Sequence, residues 1–192
     1  MPVDGVSIIS NRWLLLYHLN EHYQSEHSKF VHIFDLNNKD ATRNHFSFSL
    51  DADAQKFVTN KDNIYIGTKN GSIWSIDLSK EIREPIKIYS HDKKITALAI
   101  SDDGKLIVSG DETGSVRILS LKDMSQPSLV FKPYSAKIDI LRISPNDKWI
   151  AVSAIEEAPR LFCLDKQILS TALKNAAGRN LTEDEKKRFS TK

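Results

Sequence analysis

The sequence is short of most things that would announce a chemistry. It holds one cysteine, Cys163, in 192 residues, so no disulfide can form within the chain and a cage of thiolates around zinc is excluded. A lone thiol suits a reducing compartment, and a cytoplasmic location is expected. The longest apolar run near the N-terminus, Trp13–Tyr17, is too short for a signal segment or a membrane span, so no membrane partner is expected. Neither sign of charge dominates: 27 Lys and Arg face 25 Asp and Glu, for a net charge of +2. Such a balance gives no footing for nucleic acid. Only seven glycines occur, and those at 67, 71, 104, 110 and 114 sit in or next to hairpin turns. None lies in a phosphate-cradling pattern or a nucleophile elbow, so no cofactor is expected.

What the chain does have is a repeat. Ile95–Leu121 reads as three strands: ITALAIS, KLIVSG and SVRILSL, separated by Ser101–Gly104 and Asp111–Gly114. These turn residues tolerate φ > 0 or hydrogen-bond their own backbone. A three-stranded meander leaves an apolar face unburied and needs copies beside it. The copies are present. The leucines closing the third strands, Leu36, Leu78, Leu121 and Leu164, are 42, 43 and 43 residues apart, and the second strands keep the same step. A period in the low forties with about four short strands per unit is the signature of propeller blades.

The expected fold is therefore all-β, with units at about 3–50, 54–90, 95–132 and 138–164. Each is a four-stranded antiparallel blade except the last, where no fourth strand follows Leu164. The array is expected to be an incomplete or open propeller. The turn Glu156–Pro159 lacks glycine and must differ from its sisters. Residues 165–192 change character. Ile168, Leu169, Ala172, Leu173, Ala176 and Ala177 fall near helical spacing, Gly178 can stop that helix, and Thr182–Glu185 is a capping box for a second.

Val6–Leu164 resembles the WD-repeat β-propeller family, best in SDDGKLIVSGDETGSVRIL of the third unit. The closing Trp-Asp pair is degenerate, and the Gly-His signature survives as Ser90-His91. The resemblance implies that His91 and Asp111 belong to a buried hydrogen-bond network that braces the blade, a structural role. Ala177–Thr182 is similar to the segment that ends many bacterial WD-repeat proteins, including those carrying a STAND-type NTPase.

In this architecture the loops before each first strand and those between second and third strands gather on one face. Here they are Asp51–Gln55, Lys69–Asn70, His91–Lys94, Glu112–Thr113, Tyr134–Lys137 and Glu156–Pro159. Their mixed charge suits a protein or peptide partner, and Lys94, Tyr134 and Glu157 are the candidate contacts. The function expected is a non-enzymatic interaction scaffold or sensor, the C-terminal part of a larger propeller in a signalling protein. A missing propeller half or self-association through open blade edges would complete it. The alternative is a metal-dependent propeller hydrolase or lyase, which needs carboxylates or histidines converging on the axis; the chain offers Asp53 and Asp139, too few for a usual hard-ion cage. His18, His22, His27 and His32 crowd one enlarged loop but read as surface histidines, and no metal site is assigned. Trp13, Trp74 and Trp149 read as packing between blades, and Cys163 as a small buried apolar residue.

Overall fold

Runs of β-branched and aromatic residues broken by Gly, Asn, Asp and Ser fold into fifteen strands among the described residues. The computed structural model describes residues 5–9, 11–17, 30–38, 45–80, 83–125 and 127–165. The strands form four antiparallel sheets in strict chain order. Blade one holds β1 (Gly5–Ile9), β2 (Trp13–Tyr17), β3 (Phe30–Asp35) and β4 (His45–Ser49). Blade two holds β5 (Ala54–Asn60), β6 (Asn63–Thr68), β7 (Ser72–Asp77) and β8 (Ile86–Ser90). Blade three holds β9 (Ile95–Ile100), β10 (Leu106–Asp111), β11 (Val116–Ser120) and β12 (Leu129–Phe131). Blade four has three strands among the described residues: β13 (Ile138–Ile143), β14 (Trp149–Ala154) and β15 (Arg160–Cys163). The all-β, open arrangement of blades is as the repeat implied. No strand joins one sheet to the next among the described residues. The enlarged loop at 20–29 and the helical expectation for 166–192 lie outside the described residues.

Each core lies between successive blades. Trp13, Leu15 and Ile33 of blade one meet Ile64, Ile66 and Ile76 of blade two. Tyr65 and Ile73, on the other face of blade two, meet Ile95, Leu98, Ile107 and Leu119. Ala97, Val108 and Val116 meet Leu141, Ile150 and Val152. A strand buried on both faces reads as a continuous apolar run, which is why NIYIGT and LIVSGD do not alternate.

Two glycines set the spacing of this stack. A Cβ at Gly67 would stand 2.5 Å from Ile95 Cγ2, and one at Gly110 would stand 2.6 Å from Ile138 Cγ2. A missing side chain on one blade seats a branched one on the next. Polar ties cross the same seams. The Thr96 hydroxyl donates to the Ile138 carbonyl at 2.6 Å. The Asn60 amide donates to the carbonyls of Ser101 and Asp102, both at 3.1 Å. The Asp147 carboxylate accepts the backbone N–H groups of Asp102 and Asp103.

The turns between second and third strands are built two ways. Gly71 and Gly114 both take φ of +89°, and a Cβ at Gly114 would lie 2.1 Å from the Tyr134 carbonyl oxygen. Blade four has Glu157 at that position. Its N–H still closes the turn on Ala154 O at 3.2 Å, but the left-handed step moves to Glu156, with φ of +61°.

Candidate functional site

The two classes of loop meet at one rim, and a repeated backbone bond holds them together. Lys69 N–H donates to Asp53 O at 2.9 Å, Glu112 N–H to Lys94 O at 3.1 Å, and Ile155 N–H to Lys137 O at 3.2 Å. The loop leading into the first strand of blades two, three and four is thereby fixed to the turn beside it. Lys94 lies in the loop entering blade three, and Glu157 lies exposed on the rim turn of blade four. On blade two the rim closes over Asp51, which accepts from the Ser72 hydroxyl at 2.9 Å, Trp74 Nε1 at 3.2 Å and Lys87 Nζ at 3.2 Å. Burial pushes the Asp51 carboxyl up, but hydrogen bonds from Asn70, Ser72, Lys87 and Trp74 outweigh it and hold it below the usual carboxylate range. Asp51, Ala52, Asp53, Lys69 and Asn70 line a shallow depression there.

Behind the rim of blade three, His91 and Asp111 come together. His91 Nδ1 lies 3.0 Å from Asp111 Oδ2, and His91 Nε2 lies 2.7 Å from Ser109 Oγ. Burial lowers the His91 pKa despite the opposing pull of Asp111. The imidazole is therefore neutral, donating from Nδ1 to the carboxylate and accepting the serine proton at Nε2. Burial alone would raise the Asp111 pKa. Hydrogen bonds from His91, from the Thr113 hydroxyl and from the N–H groups of Thr113 and Ser115 bring it below the usual range instead. Ser109, His91 and Asp111 share the connectivity of a hydrolytic triad. The chemistry that pattern suggests has no access here, because all three are buried and Ser109 is 3% exposed. No substrate carbonyl can reach that hydroxyl, so the network braces the blade.

Tyr134 is placed differently from a rim contact. It is 4% exposed, and its hydroxyl donates to Val152 O at 3.0 Å and Ala158 O at 2.6 Å. The Arg160 guanidinium stacks over its ring at 4.4 Å and donates to Pro133 O. The period shows what Tyr134 is. It lies 43 residues after His91, and each stands four residues before the first residue of an inner strand, Ile95 or Ile138. Leu50 occupies the same place before Ala54, and it too is buried. Carrying the repeat interval across His91 would have found Tyr134 as a brace.

The remaining candidates are scattered. Among the described residues no three His, Cys, Asp or Glu side chains are grouped to hold a metal ion. Asp53 stands 3.9 Å from Lys69, and Asp139 is exposed on β13. His32 Nδ1 lies 3.1 Å from His45 Nε2 on blade one, while His18, His22 and His27 fall outside the described residues. Trp13 is buried between blades and Trp74 is packed against the same core. Trp149 departs from the packing expected of it: it is 37% exposed, with Cys163 as its cross-strand neighbour. Cys163 is only partly buried, because blade four has nothing described on its outer face.

Residues 83–120, which run from the last strand of blade two, β8, through the first three strands of blade three, match the family described as WD domain, G-beta repeat. The chain is 30% identical to U3 small nucleolar RNA-associated protein 12 of Saccharomyces cerevisiae, over 57% of this chain and 13% of that protein. It is 32% identical to human DDB1- and CUL4-associated factor 4-like protein 2, over 40% of this chain and 20% of that protein. These findings support a WD-repeat β-propeller. The chain spans about a fifth or less of the length of these relatives. Among solved structures, a chain of a mitotic checkpoint complex superposes with a TM-score of 0.64 at 16% identity, over 79% of this chain and 44% of that one. The computationally designed Ika4 protein superposes with a TM-score of 0.67 at 13% identity, over 85% of this chain and 92% of that one. At those identities the likeness is one of fold.

Proposed function

We propose that this chain is a non-enzymatic interaction scaffold that takes a protein or peptide partner on the rim carrying Lys94 and Glu157. The observation that supports this most is the repeated backbone bond joining each entry loop to its neighbouring turn. It presents charged side chains of both signs on a surface that loses little freedom when a partner binds. Mixed charge favours a partner of matched pattern over a polyanion. Two relatives are named as associated with other molecules, U3 small nucleolar RNA for one and DDB1 and CUL4 for the other, which accords with a scaffold role. Our reading places the chain in a larger cytoplasmic signalling protein of the bacterial kind that carries a STAND-type NTPase. What supports that context is the segment Ala177–Thr182 and the near absence of cysteine.

Affinity capture with Lys94→Glu and Glu157→Lys tests the rim. The expected result is loss of co-purifying partners with an unchanged unfolding midpoint. A capture profile identical to that of the native chain would move the contact surface elsewhere.

A further inference from the structure

One position on the third strand carries a nitrogen donor in every blade, and in three blades that side chain has a hydrogen-bond partner. Trp74, Arg117 and Arg160 follow one another at 43 residues, and His32 stands 42 before Trp74. In blade one His32 Nδ1 lies 3.1 Å from His45 Nε2. In blade two Trp74 Nε1 donates to Asp51 at 3.2 Å. In blade four Arg160 stacks over Tyr134 and donates to Pro133 O. Arg117 of blade three also stacks on an aromatic ring, 5.0 Å from the centre of Tyr89. Its Nε is enclosed with no acceptor, and no hydrogen bond or ion pair engages its other nitrogens among the described residues. A guanidinium partly removed from water with nothing to donate to is a disfavoured arrangement that an incoming acceptor relieves.

The repeat shows why blade three differs. Asp51 and Asp92 each follow the brace position, after Leu50 and His91. Asp51 gathers Ser72, Trp74 and Lys87. Asp92 is exposed, and no bond joins it to Arg117. The residue 43 after Lys87 is Val130, which stands directly across from Arg117 and is 47% exposed. On the other side of Arg117 lies Ser109, already bonded to His91. The Tyr89 ring beneath the guanidinium is itself held, with the Ser128 hydroxyl donating to its oxygen at 2.9 Å. A planar cation fixed on a fixed ring loses little further freedom when a ligand docks.

We propose that Arg117 is a docking point for a carboxylate side chain, the glutamate or aspartate of a peptide segment whose neighbouring apolar residue rests on Val130. The planar fork of a guanidinium matches the two oxygens of a carboxylate. One unpaired guanidinium balances one negative charge. A dianion such as a phosphate ester fits less well, since Lys87 is already engaged by Asp51 and Asp92 adds a negative charge nearby. Arginine and tyrosine beside an apolar side chain also make up the kind of cluster that carries most of the energy in protein interfaces. The contact lies on the seam of blades two and three and does not involve Lys94 or Glu157.

The test is a titration of the isotope-labelled full chain at low ionic strength, where charge pairing is least screened. The probes are the peptide acetyl-Ser-Glu-Leu-Ser-amide, its Gln counterpart and its phosphoserine counterpart, the last two altered only at the Glu position. The Glu peptide is expected to shift the Arg117 Nε–H resonance and to bind about tenfold more tightly than the Gln peptide. Arg117→Gln is expected to erase that preference at an unchanged unfolding midpoint, while Lys94→Glu with Glu157→Lys retains it. Equal binding of the Glu and Gln peptides by the native chain would overturn the proposal without recourse to any variant. So would an undiminished preference in Arg117→Gln, or its loss in the Lys94 and Glu157 variant alone, which would put the peptide on the rim. Tighter binding of the phosphoserine peptide than of the Glu peptide would overturn the assignment to a carboxylate.

Discussion

Blades three and four solve one mechanical problem with different chemistry. Each must fasten the loop entering its inner strand to the strand beside it. Blade three does so with an imidazole, a hydroxyl and a carboxylate, His91, Ser109 and Asp111. Blade four has Val152 and Ala154 at the positions of Ser109 and Asp111, so no side-chain partner is available. Tyr134 reaches instead to the carbonyls of Val152 and Ala158. The repeat thus preserves where the fastening occurs and leaves its chemistry free. A buried donor needs a partner, and a backbone carbonyl serves as well as a side chain.

The comparison breaks most severely at the turn glycines. Gly114→Ala would put a Cβ 2.1 Å from the Tyr134 carbonyl oxygen, on a backbone with φ of +89°. Clash and left-handed strain add, so a loss of about 3 kcal/mol or more is expected in denaturant unfolding. Glu157→Ala at the matching position of blade four should shift stability by no more than about 0.5 kcal/mol, because that turn has already moved its strain to Glu156. Equal losses at the two sites would show that the turns are equivalent after all.

Next in size is the brace itself. Tyr134→Phe removes the donor for two carbonyls and is expected to cost about 1–3 kcal/mol, independently of pH between 5 and 8. Blade three behaves otherwise. The folded pKa of His91 lies below its ordinary 6.5, so below that pH the unfolded chain takes up the proton first. His91 therefore gives its full contribution above pH 6.5 and loses it as pH falls. Asp111, held below its ordinary 3.8, adds a second loss only below that value. His91→Gln should flatten the stability slope between pH 6.5 and 4.5 relative to the native chain, and Tyr134→Phe should leave that slope alone. Parallel slopes in native chain and His91→Gln would remove the histidine from the pH dependence.

How much of this was legible in the sequence follows from what a period records. The interval of 42 or 43 residues located the end of the third strand in every blade, and the one good unit, SDDGKLIVSGDETGSVRIL, carried the match. The rim loops were legible too, since Asp, Asn, Gly and Pro mark where strands end. Tyr134 was not read correctly, because a tyrosine in a loop between strands is at the surface by composition alone. Its burial depends on Ala158 and Val152, which lie 24 and 18 residues away and give no local signal. The exposure of Trp149 was hidden for a related reason. A strand residue shows which face it occupies, but not whether a neighbouring blade lies there.

The smallest expected effect sharpens the comparison of turns from the other side. Glu156 takes φ of +61°, a conformation that costs a residue with a Cβ about 1 kcal/mol and costs glycine almost nothing. Glu156→Gly relieves that cost but gives the unfolded chain more freedom to lose, and the two terms oppose. With relief the larger, a gain of a few tenths to about 1 kcal/mol is expected, read as a higher denaturant midpoint at unchanged m-value. The same substitution at Glu112 has no strain to relieve and should lower stability slightly. If Glu156→Gly and Glu112→Gly shift the midpoint equally, the left-handed step is not what separates blade four's turn from its sisters.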